Sequence, residues 1–335
     1  MLAAILACSG PALSADERAF FRAADPAGYI LFARNLADRD QVKALTGSLR
    51  ELSGRAELPI LIDQEGGRVA RLQPPEWPAF PAPARFAALY EKAPISGQEA
   101  ARANGEALAV ILAELGINVD CLPLLDVAHP GGHDIIGDRA LGAEPMRVAA
   151  LGRAILDGLE AGGVCGVVKH IPGHGRARAD SHKELPVVAA SGEELQMDLA
   201  PFRALNDAPM AMTAHVLYPA WDAERPATVS PTIIAEVIRG EIGFEGLLIS
   251  DDLAMAALSG TLAERTAAAL AAGCDVALHC SGVLAESEEI AGAAGAMAAA
   301  AAARLERALA GVAGKASAHS HEELAAKRDA LLAFA

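Results

Sequence analysis

The 335-residue sequence has few aromatic residues, few cations and no long apolar runs, and each shortage excludes a class of protein. Phe, Trp and Tyr supply only 4% of the chain, so any platform of stacked rings is small. Lys and Arg total 28 against 43 Asp and Glu, and the net charge of −15 argues against nucleic-acid and membrane-surface partners. No apolar stretch approaches the ~20 residues that span a bilayer.

Cysteine usage and the N-terminus indicate the compartment. The five cysteines are odd in number and include no C-x-x-C pair, which argues against a disulfide framework and against a zinc ribbon. Residues 1–8 lack the positively charged start of a signal peptide, and their apolar run is shorter than a typical signal core. We therefore expect a cytoplasmic protein with reduced thiols.

Short apolar runs alternate with longer helical patterns along the chain. Strands that are apolar on both sides require a sheet covered on both faces, and strand–helix alternation indicates parallel strands. Seven or eight such units favour a closed barrel, and no G-x-G-x-x-G follows the first strand. We predict an α/β fold, one (β/α)8 TIM-type barrel domain over 1–335 that tolerates an irregular or missing element. The candidate strands are 3–8, 28–33, 59–63, 117–122, 164–169, 210–213, 246–250 and 274–279.

Helical patterns fill the intervals between these strands. An Ala-rich run over 291–303 predicts a surface helix, and we expect the tail, 311–335, to form a helix packed on the barrel exterior. The other predicted helices are 38–52, 97–115, 145–161, 192–205, 231–242 and 261–272.

Chemically active residues follow the C-terminal ends of nearly every candidate strand. Examples are Asp63, Lys169, His170, His215 and Asp251. Barrel enzymes build their active sites at that face. Helix capping would explain Asp at such positions, but it does not explain Lys and His. The pattern therefore predicts an active site at the carboxyl ends of the strands.

Three shorter motifs supply polar side chains suited to a sugar. In LIDQEGGRVARL, Asp63 can accept hydrogen bonds from hydroxyl groups, and Arg71 offers a fork of donors. The alternative is an Asp63–Arg ion pair that merely holds the loop. In GDRALG, Arg139 could clamp substrate oxygens or form a surface salt bridge of little value. In TAHVLYPAWD, Tyr218 and Trp221 could stack on a sugar ring.

The segment KHIPGHGRARADSHKELP, residues 169–186, predicts a proton-transfer pair. Asp180 and His182 are two residues apart and project to the same side of an extended segment, so the carboxylate can hold one imidazole nitrogen and leave the other free. We expect this loop to close over the substrate. A metal site using His170, His174 and His182 is the alternative, although Pro and Gly interrupt the helical spacing that such ligands would need.

The segment GLLISDDLAM delivers two consecutive carboxylates at the end of a strand. Because successive strand side chains point in opposite directions, we expect only one of them to face the barrel centre. Asp251 is the predicted nucleophile, whose attack on an anomeric carbon would divide glycoside hydrolysis into two displacements. Asp252 is predicted to cap the next helix or to pair with a basic residue.

These motifs, in this order, resemble glycoside hydrolase family 3 β-N-acetylhexosaminidases of the bacterial cell-wall recycling type. The resemblance implies a retaining, exo-acting enzyme that removes β-linked N-acetylglucosamine from 1,6-anhydro-N-acetylmuramic acid conjugates in the cytoplasm, without metal or cofactor. Its partner is a small muropeptide-type carbohydrate, and we expect a monomer. The resemblance implies a nucleophile at Asp251, an acid/base pair at Asp180 and His182, and sugar-binding roles for Asp63, Arg71, Arg139, Lys169 and His170.

Several alternatives remain open from the sequence. The same scaffold could cleave β-glucosides, and a histidine acid/base would not repel phosphate, so phosphorolysis could compete with hydrolysis. The acetamido oxygen of the substrate could attack in place of a carboxylate. A metal-dependent hydrolase and a sugar-binding barrel without catalysis are the remaining readings.

Overall fold

The computed structural model describes residues 1–334. Eight parallel strands form a closed barrel in which each strand pairs with its sequence neighbours and the last pairs with the first. This arrangement confirms the predicted (β/α)8 barrel, with a strand at each of the eight candidate positions. The strands, β1 to β8, are Leu2–Ala7, Pro26–Leu31, Ile60–Ile62, Val119–Asp120, Cys165–Ile171, Met210–Thr213, Leu247–Asp252 and Val276–His279.

Helices cover the outside of the barrel. The six predicted helices between strands are confirmed to within three residues at each end, and one of them, Ile233–Glu241, has π-type hydrogen bonding. The α-helices of residues 1–334, α1 to α10, are Ala15–Ala24, Arg39–Ser53, Ala84–Lys92, Pro94–Glu114, Pro145–Ala161, Gly192–Ala204, Leu262–Ala272, Leu284–Ala294, Ala299–Ala310 and His321–Leu332. None of these helices is both long and apolar enough to cross a bilayer.

Local sequence explains where several helices begin. In each case a Ser or Thr side chain accepts from the backbone N–H three residues later, and the Glu at that position bonds back to the cap. This reciprocal capping satisfies two backbone donors that would otherwise lack partners. The pairs are Ser14 and Glu17, Ser191 and Glu194, Thr261 and Glu264, and Ser320 and Glu323.

The prediction of one continuous helix over 291–303 is wrong. α8 ends at Ala294 and α9 begins at Ala299. The residues between them bond to the start of β1 instead: Ala3 N–H donates to the Gly295 carbonyl, and Met297 N–H donates to the Met1 carbonyl. Pairing with a distant strand therefore overrides the helical preference of the Ala-rich run.

Two apolar layers hold the barrel together. Alternate residues of the strands fill the interior, as Ile5 and Ala7 of β1 do, whereas Leu6 belongs to the layer between strands and helices. Leu305 and Leu309 of α9 pack against the interior cluster, and Arg304 pairs with Asp275, the residue just before β8. α9 therefore covers the amino end of the barrel. In the tail, α10 buries Leu324 and Leu332.

The close approach of α5 to α4 generates a stability prediction. A Cβ atom at Gly158 would lie 2.2 Å from the Arg102 carbonyl oxygen and 2.8 Å from the Glu106 nitrogen. We expect Gly158→Ala to push the two helices apart and to lower the free energy of unfolding by about 1–3 kcal/mol. Gly47→Ala is the matched control, because nothing lies within 4 Å of its Cβ position in α2. Urea unfolding midpoints measure the stability of both variants, and equal midpoints for the two would contradict the prediction.

Candidate active site

A cavity of about 250 Å³ lies at the carboxyl ends of the barrel strands. Its volume lies just below the roughly 300–1,000 Å³ of typical small-molecule pockets, so it suits one ring-sized ligand. Asp180 does not line the cavity, but it bonds to His182, which does. The other predicted site residues all line it: Asp63, Arg71, Arg139, Lys169, His170, His182 and Asp251.

A network of buried charges forms one wall of the cavity. Lys169 Nζ lies 2.9 Å from Asp63 Oδ1 and 2.7 Å from Glu65 Oε1. Arg71 donates to Asp63 Oδ2 at 3.0 Å, and Arg139 donates two hydrogen bonds of 2.8 Å to the carboxylate of Glu65. We call these five residues the charged wall. It joins the segments that follow β3 and β4 to β5.

Mutual pairing keeps the charged wall ionised. Burial alone would raise the pKa of Asp63 and of Glu65, but Lys169 and the two arginines outweigh it and hold both pKa values below their usual range. Burial likewise would lower the pKa of Lys169, and the two carboxylates hold it above its usual value. Three cations face two anions, so the wall has one positive charge in excess.

Glu65 is the residue of this wall that the sequence analysis missed. Its side chain is fully buried and forms ion pairs with both Lys169 and Arg139. The sequence spacing could have predicted it, because Glu65 lies two residues after Asp63 and both carboxylates therefore project to one side of an extended segment. The pairing also excludes a surface salt bridge for Arg139, because both the guanidinium and the Glu65 carboxylate that it binds are buried.

A third carboxylate, Asp126, orients the His170 ring and binds the backbone of His174. Its Oδ2 lies 2.7 Å from His170 Nδ1, and its Oδ1 accepts from the backbone N–H groups of His170 at 3.2 Å and His174 at 2.6 Å. Burial would raise the pKa of Asp126, but His170 and these hydrogen bonds lower it to about 2. Asp126 therefore stays ionised and leaves His170 Nε2 for the cavity.

The two consecutive aspartates of β7 have different environments. Burial would raise the pKa of Asp251, yet His215, His170 and the Asp252 backbone N–H, 2.8 Å from Oδ1, hold it below its usual value. Burial raises the pKa of Asp252, whose Oδ1 accepts from the backbone N–H groups of Ala254 and Cys280. Both aspartates line the cavity, and the Asp252 carboxylate is the one engaged by backbone N–H groups outside β7.

The segment after β5 brings His182, of the predicted proton-transfer pair, to the same cavity. His182 Nδ1 lies 2.9 Å from Asp180 Oδ1, which also accepts from the His182 backbone N–H at 3.0 Å. The His182 side chain is 62% exposed. Because Asp180 engages Nδ1, the other nitrogen, Nε2, remains available for proton exchange with a bound molecule.

Three other residues singled out in the sequence, His215, Tyr218 and Trp221, do not line the cavity. Tyr218 is buried and donates to the Gly173 carbonyl at 2.7 Å, and neither it nor Trp221 lines the cavity. His215 lies behind the aspartates, with Nε2 3.0 Å from the Asp252 carbonyl. Among residues 1–334, no three His, Cys, Asp or Glu side chains are grouped as metal ligands, so the alternative with three histidines has no geometric support.

Comparison with known proteins assigns the chain to a family. The family model described as the glycosyl hydrolase family 3 N-terminal domain matches residues 4–313. The chain belongs to glycoside hydrolase family 3. The resemblance drawn from the motifs is thereby confirmed, as is the expected enzyme class, a glycoside hydrolase.

Relatives of this family 3 enzyme carry consistent names. A β-hexosaminidase of Methylococcus capsulatus is 41% identical over 277 residues, which cover 81% of this chain and 80% of that protein. One from Bordetella avium is 38% identical over 278 residues, covering 82% and 79%. NagZ from Neisseria gonorrhoeae, solved in complex with N-trifluoroacetyl-D-glucosamine, superposes with a TM-score of 0.85 at 31% identity and covers 99% of this chain and 97% of its own.

The charged wall of this family 3 enzyme generates a stability prediction. We expect Glu65→Gln to lower the free energy of unfolding by about 3–5 kcal/mol, because it leaves Lys169 and Arg139 buried with one carboxylate fewer. The control, Asp138→Asn, breaks an exposed pair with Arg68 and should cost less than about 1 kcal/mol. Chemical denaturation at pH 7 compares the two variants.

The pH dependence of the Glu65 effect follows from its pKa. Because that pKa is lowered in the folded state, the stabilisation is present above the ordinary value of 4.5 and is lost as the pH falls through the lower folded-state value. The difference between wild type and Glu65→Gln should therefore shrink in acid. A difference that stays constant from pH 7 to pH 3 would contradict the assignment of charge to Glu65.

Proposed function

We propose that this enzyme is a retaining, exo-acting β-N-acetylglucosaminidase of cytoplasmic cell-wall recycling. Its substrates are peptidoglycan fragments in which β-linked N-acetylglucosamine precedes 1,6-anhydro-N-acetylmuramic acid. The proposal rests above all on one observation: Asp251 and His182 line the same one-sugar cavity, beside the charged wall. A nucleophile, a proton donor and a set of sugar-binding groups therefore surround one volume.

Asp251 is the proposed nucleophile. Its lowered pKa leaves it ionised at neutral pH, whereas burial raises the pKa of its neighbour Asp252. Environments that push the pKa values of two adjacent carboxyls apart give them different roles. In the first step, a bond forms between an Asp251 oxygen and the anomeric carbon, and the bond from that carbon to the leaving oxygen breaks.

His182 is the proposed acid and base. In the first step its Nε2 gives a proton to the leaving oxygen, while Asp180 stabilises the imidazole through Nδ1. In the second step the neutral ring takes a proton from water as the water oxygen attacks the anomeric carbon and releases Asp251. The exposure of His182 suits a group that exchanges protons with leaving groups and with water.

The charged wall and His170 are proposed to grip the terminal sugar. Asp63, Arg71, Arg139 and Lys169 present donors and acceptors that match sugar hydroxyls. They are fixed in place before the sugar arrives, so little ordering cost falls on binding. The cavity volume supports removal of one terminal unit at a time. The sugar bound in the Neisseria gonorrhoeae neighbour, an N-acylated glucosamine analogue, supports the choice of sugar.

The nucleophile assignment predicts a specific kinetic defect. We expect Asp251→Asn to lower kcat on an aryl β-N-acetylglucosaminide by several orders of magnitude with KM largely retained, because the attack is made only in the transition state. Asp329→Asn, at an exposed position of α10, is the control and should leave both constants unchanged.

A labelling experiment separates the covalent route from attack by the acetamido oxygen. A 2-fluoro glycoside should leave a sugar attached to Asp251, identified by peptide mass spectrometry. A stable adduct on another residue would overturn the nucleophile assignment, and the absence of any adduct would favour the acetamido route.

The substrate assignment predicts an order of rates. We expect kcat/KM to be higher on N-acetylglucosaminyl-1,6-anhydro-N-acetylmuramic acid than on chitobiose. In a separate comparison of two aryl glycosides, we expect kcat/KM to be at least tenfold lower on the β-glucoside than on the β-N-acetylglucosaminide. Initial rates on the purified protein test the order. Equal rates on the glucoside and the N-acetylglucosaminide would refute the specificity for the acetamido group.

A further inference from the structure

Ser181 lies between the two members of the proposed acid/base pair and is hydrogen-bonded to other segments of the protein. Ser181 is 3% exposed, although the adjacent His182 side chain is 62% exposed. The Ser181 carbonyl accepts from the Ala257 backbone N–H at 3.2 Å, and its Oγ lies 3.3 Å from His174 Nε2. The anchors therefore come from the segment after β7 and from a buried histidine.

His174 belongs to the rigid part of the site. It is 3% exposed, its backbone N–H donates to Asp126 at 2.6 Å, and its ring meets that of His170 edge-on with centroids 5.7 Å apart. Burial and the neighbouring His170 lower the pKa of His174 to about 4. At neutral pH the ring is therefore uncharged, so it can bond the Ser181 hydroxyl without adding a charge to the cavity.

The His182 ring of the acid/base pair is bonded within its own segment and not to the barrel strands. Within residues 1–334, the His182 ring bonds to Asp180, which lies on the same segment. The location of the pair relative to Asp251 consequently depends on the hydrogen bonds that hold Ser181, the residue between its two members. Ser181 is joined to both members by peptide bonds, so a shift of Ser181 moves His182 directly.

We propose that Ser181 and His174 are positioning residues whose side-chain hydrogen bond holds His182 where it can protonate the leaving group. The inference rests on the proposed role of His182 as acid and base. Neither side chain is required for the nucleophile or for the charged wall, so loss of the bond should impair proton transfer while leaving sugar binding intact.

Leaving-group dependence tests the positioning role. A phenyl glycoside needs protonation of its leaving oxygen, whereas a dinitrophenyl glycoside departs with little help. We expect Ser181→Ala to lower kcat/KM about tenfold or more on phenyl β-N-acetylglucosaminide, within the ~10²–10⁴-fold contribution of general acid catalysis. On the dinitrophenyl glycoside the loss should be less than threefold, and the Kd of N-acetylglucosamine should stay within twofold of wild type.

A second variant removes the same bond from its other end. His174→Leu should show the same leaving-group dependence, and Ser181→Ala combined with His174→Leu should show no further loss, because both changes remove one interaction. His174→Gln, which retains a hydrogen-bonding group, should keep more of the activity on the phenyl glycoside than His174→Leu. If one variant does not fold, the other still decides the question.

The controls separate this inference from the proposed function. Ser320→Ala removes a helix-capping hydroxyl that does not line the cavity and should leave both rates unchanged. Equal losses on the two glycosides, or no loss on either, would overturn the positioning role. If His182→Ala itself shows no leaving-group dependence, the proposed acid/base assignment fails instead.

Discussion

Burial of the Lys169 ammonium group in contact with two carboxylates is the constraint on which the site depends. An ammonium ion can leave water only when anions and hydrogen bonds replace its hydration. Asp63 and Glu65 provide that replacement from the segment after β3, and Glu65 in turn holds Arg139 from the loop after β4. One wall of the cavity is therefore fixed by charge pairing, in a barrel whose strands are held by backbone hydrogen bonds and apolar packing.

Burial sorts the functional groups by the freedom that each role needs. The groups proposed to grip the sugar, Lys169, Arg139 and His170, are largely buried and already paired. Asp251 is ionised because neighbouring imidazoles and a backbone N–H outweigh its desolvation. His182, proposed to serve both the departing sugar and the incoming water, is exposed and held through its neighbours. The rigid groups proposed for recognition and the exposed group proposed for proton transfer thus line the same cavity.

Features carried by local sequence were predictable, and features produced by distant contacts were not. The eight strands followed from short apolar runs, and the site residues followed from strand ends and from motifs such as KHIPGH. The pairing of Glu65 with Arg139 was not predictable, because the two residues are 74 positions apart and no local pattern joins them. The break in the Ala-rich run has the same origin, since its cause lies in β1 at the opposite end of the chain. Tyr218 was misjudged because its loop position did not reveal that its hydroxyl bonds inward to Gly173.

A single stretch of chain, 169–182, carries part of the charged wall at one end and the proposed proton-transfer pair at the other. Transplanting that stretch into another barrel would move residues of both proposed roles, sugar binding and acid catalysis, together. The transplanted piece would nevertheless arrive without the carboxylates of Glu65 and Asp126, which neutralise Lys169 and orient His170 from other loops. The smallest portable form of this site therefore comprises four segments: the stretch 169–182, the segments after β3 and β4, and the end of β7, which carries Asp251.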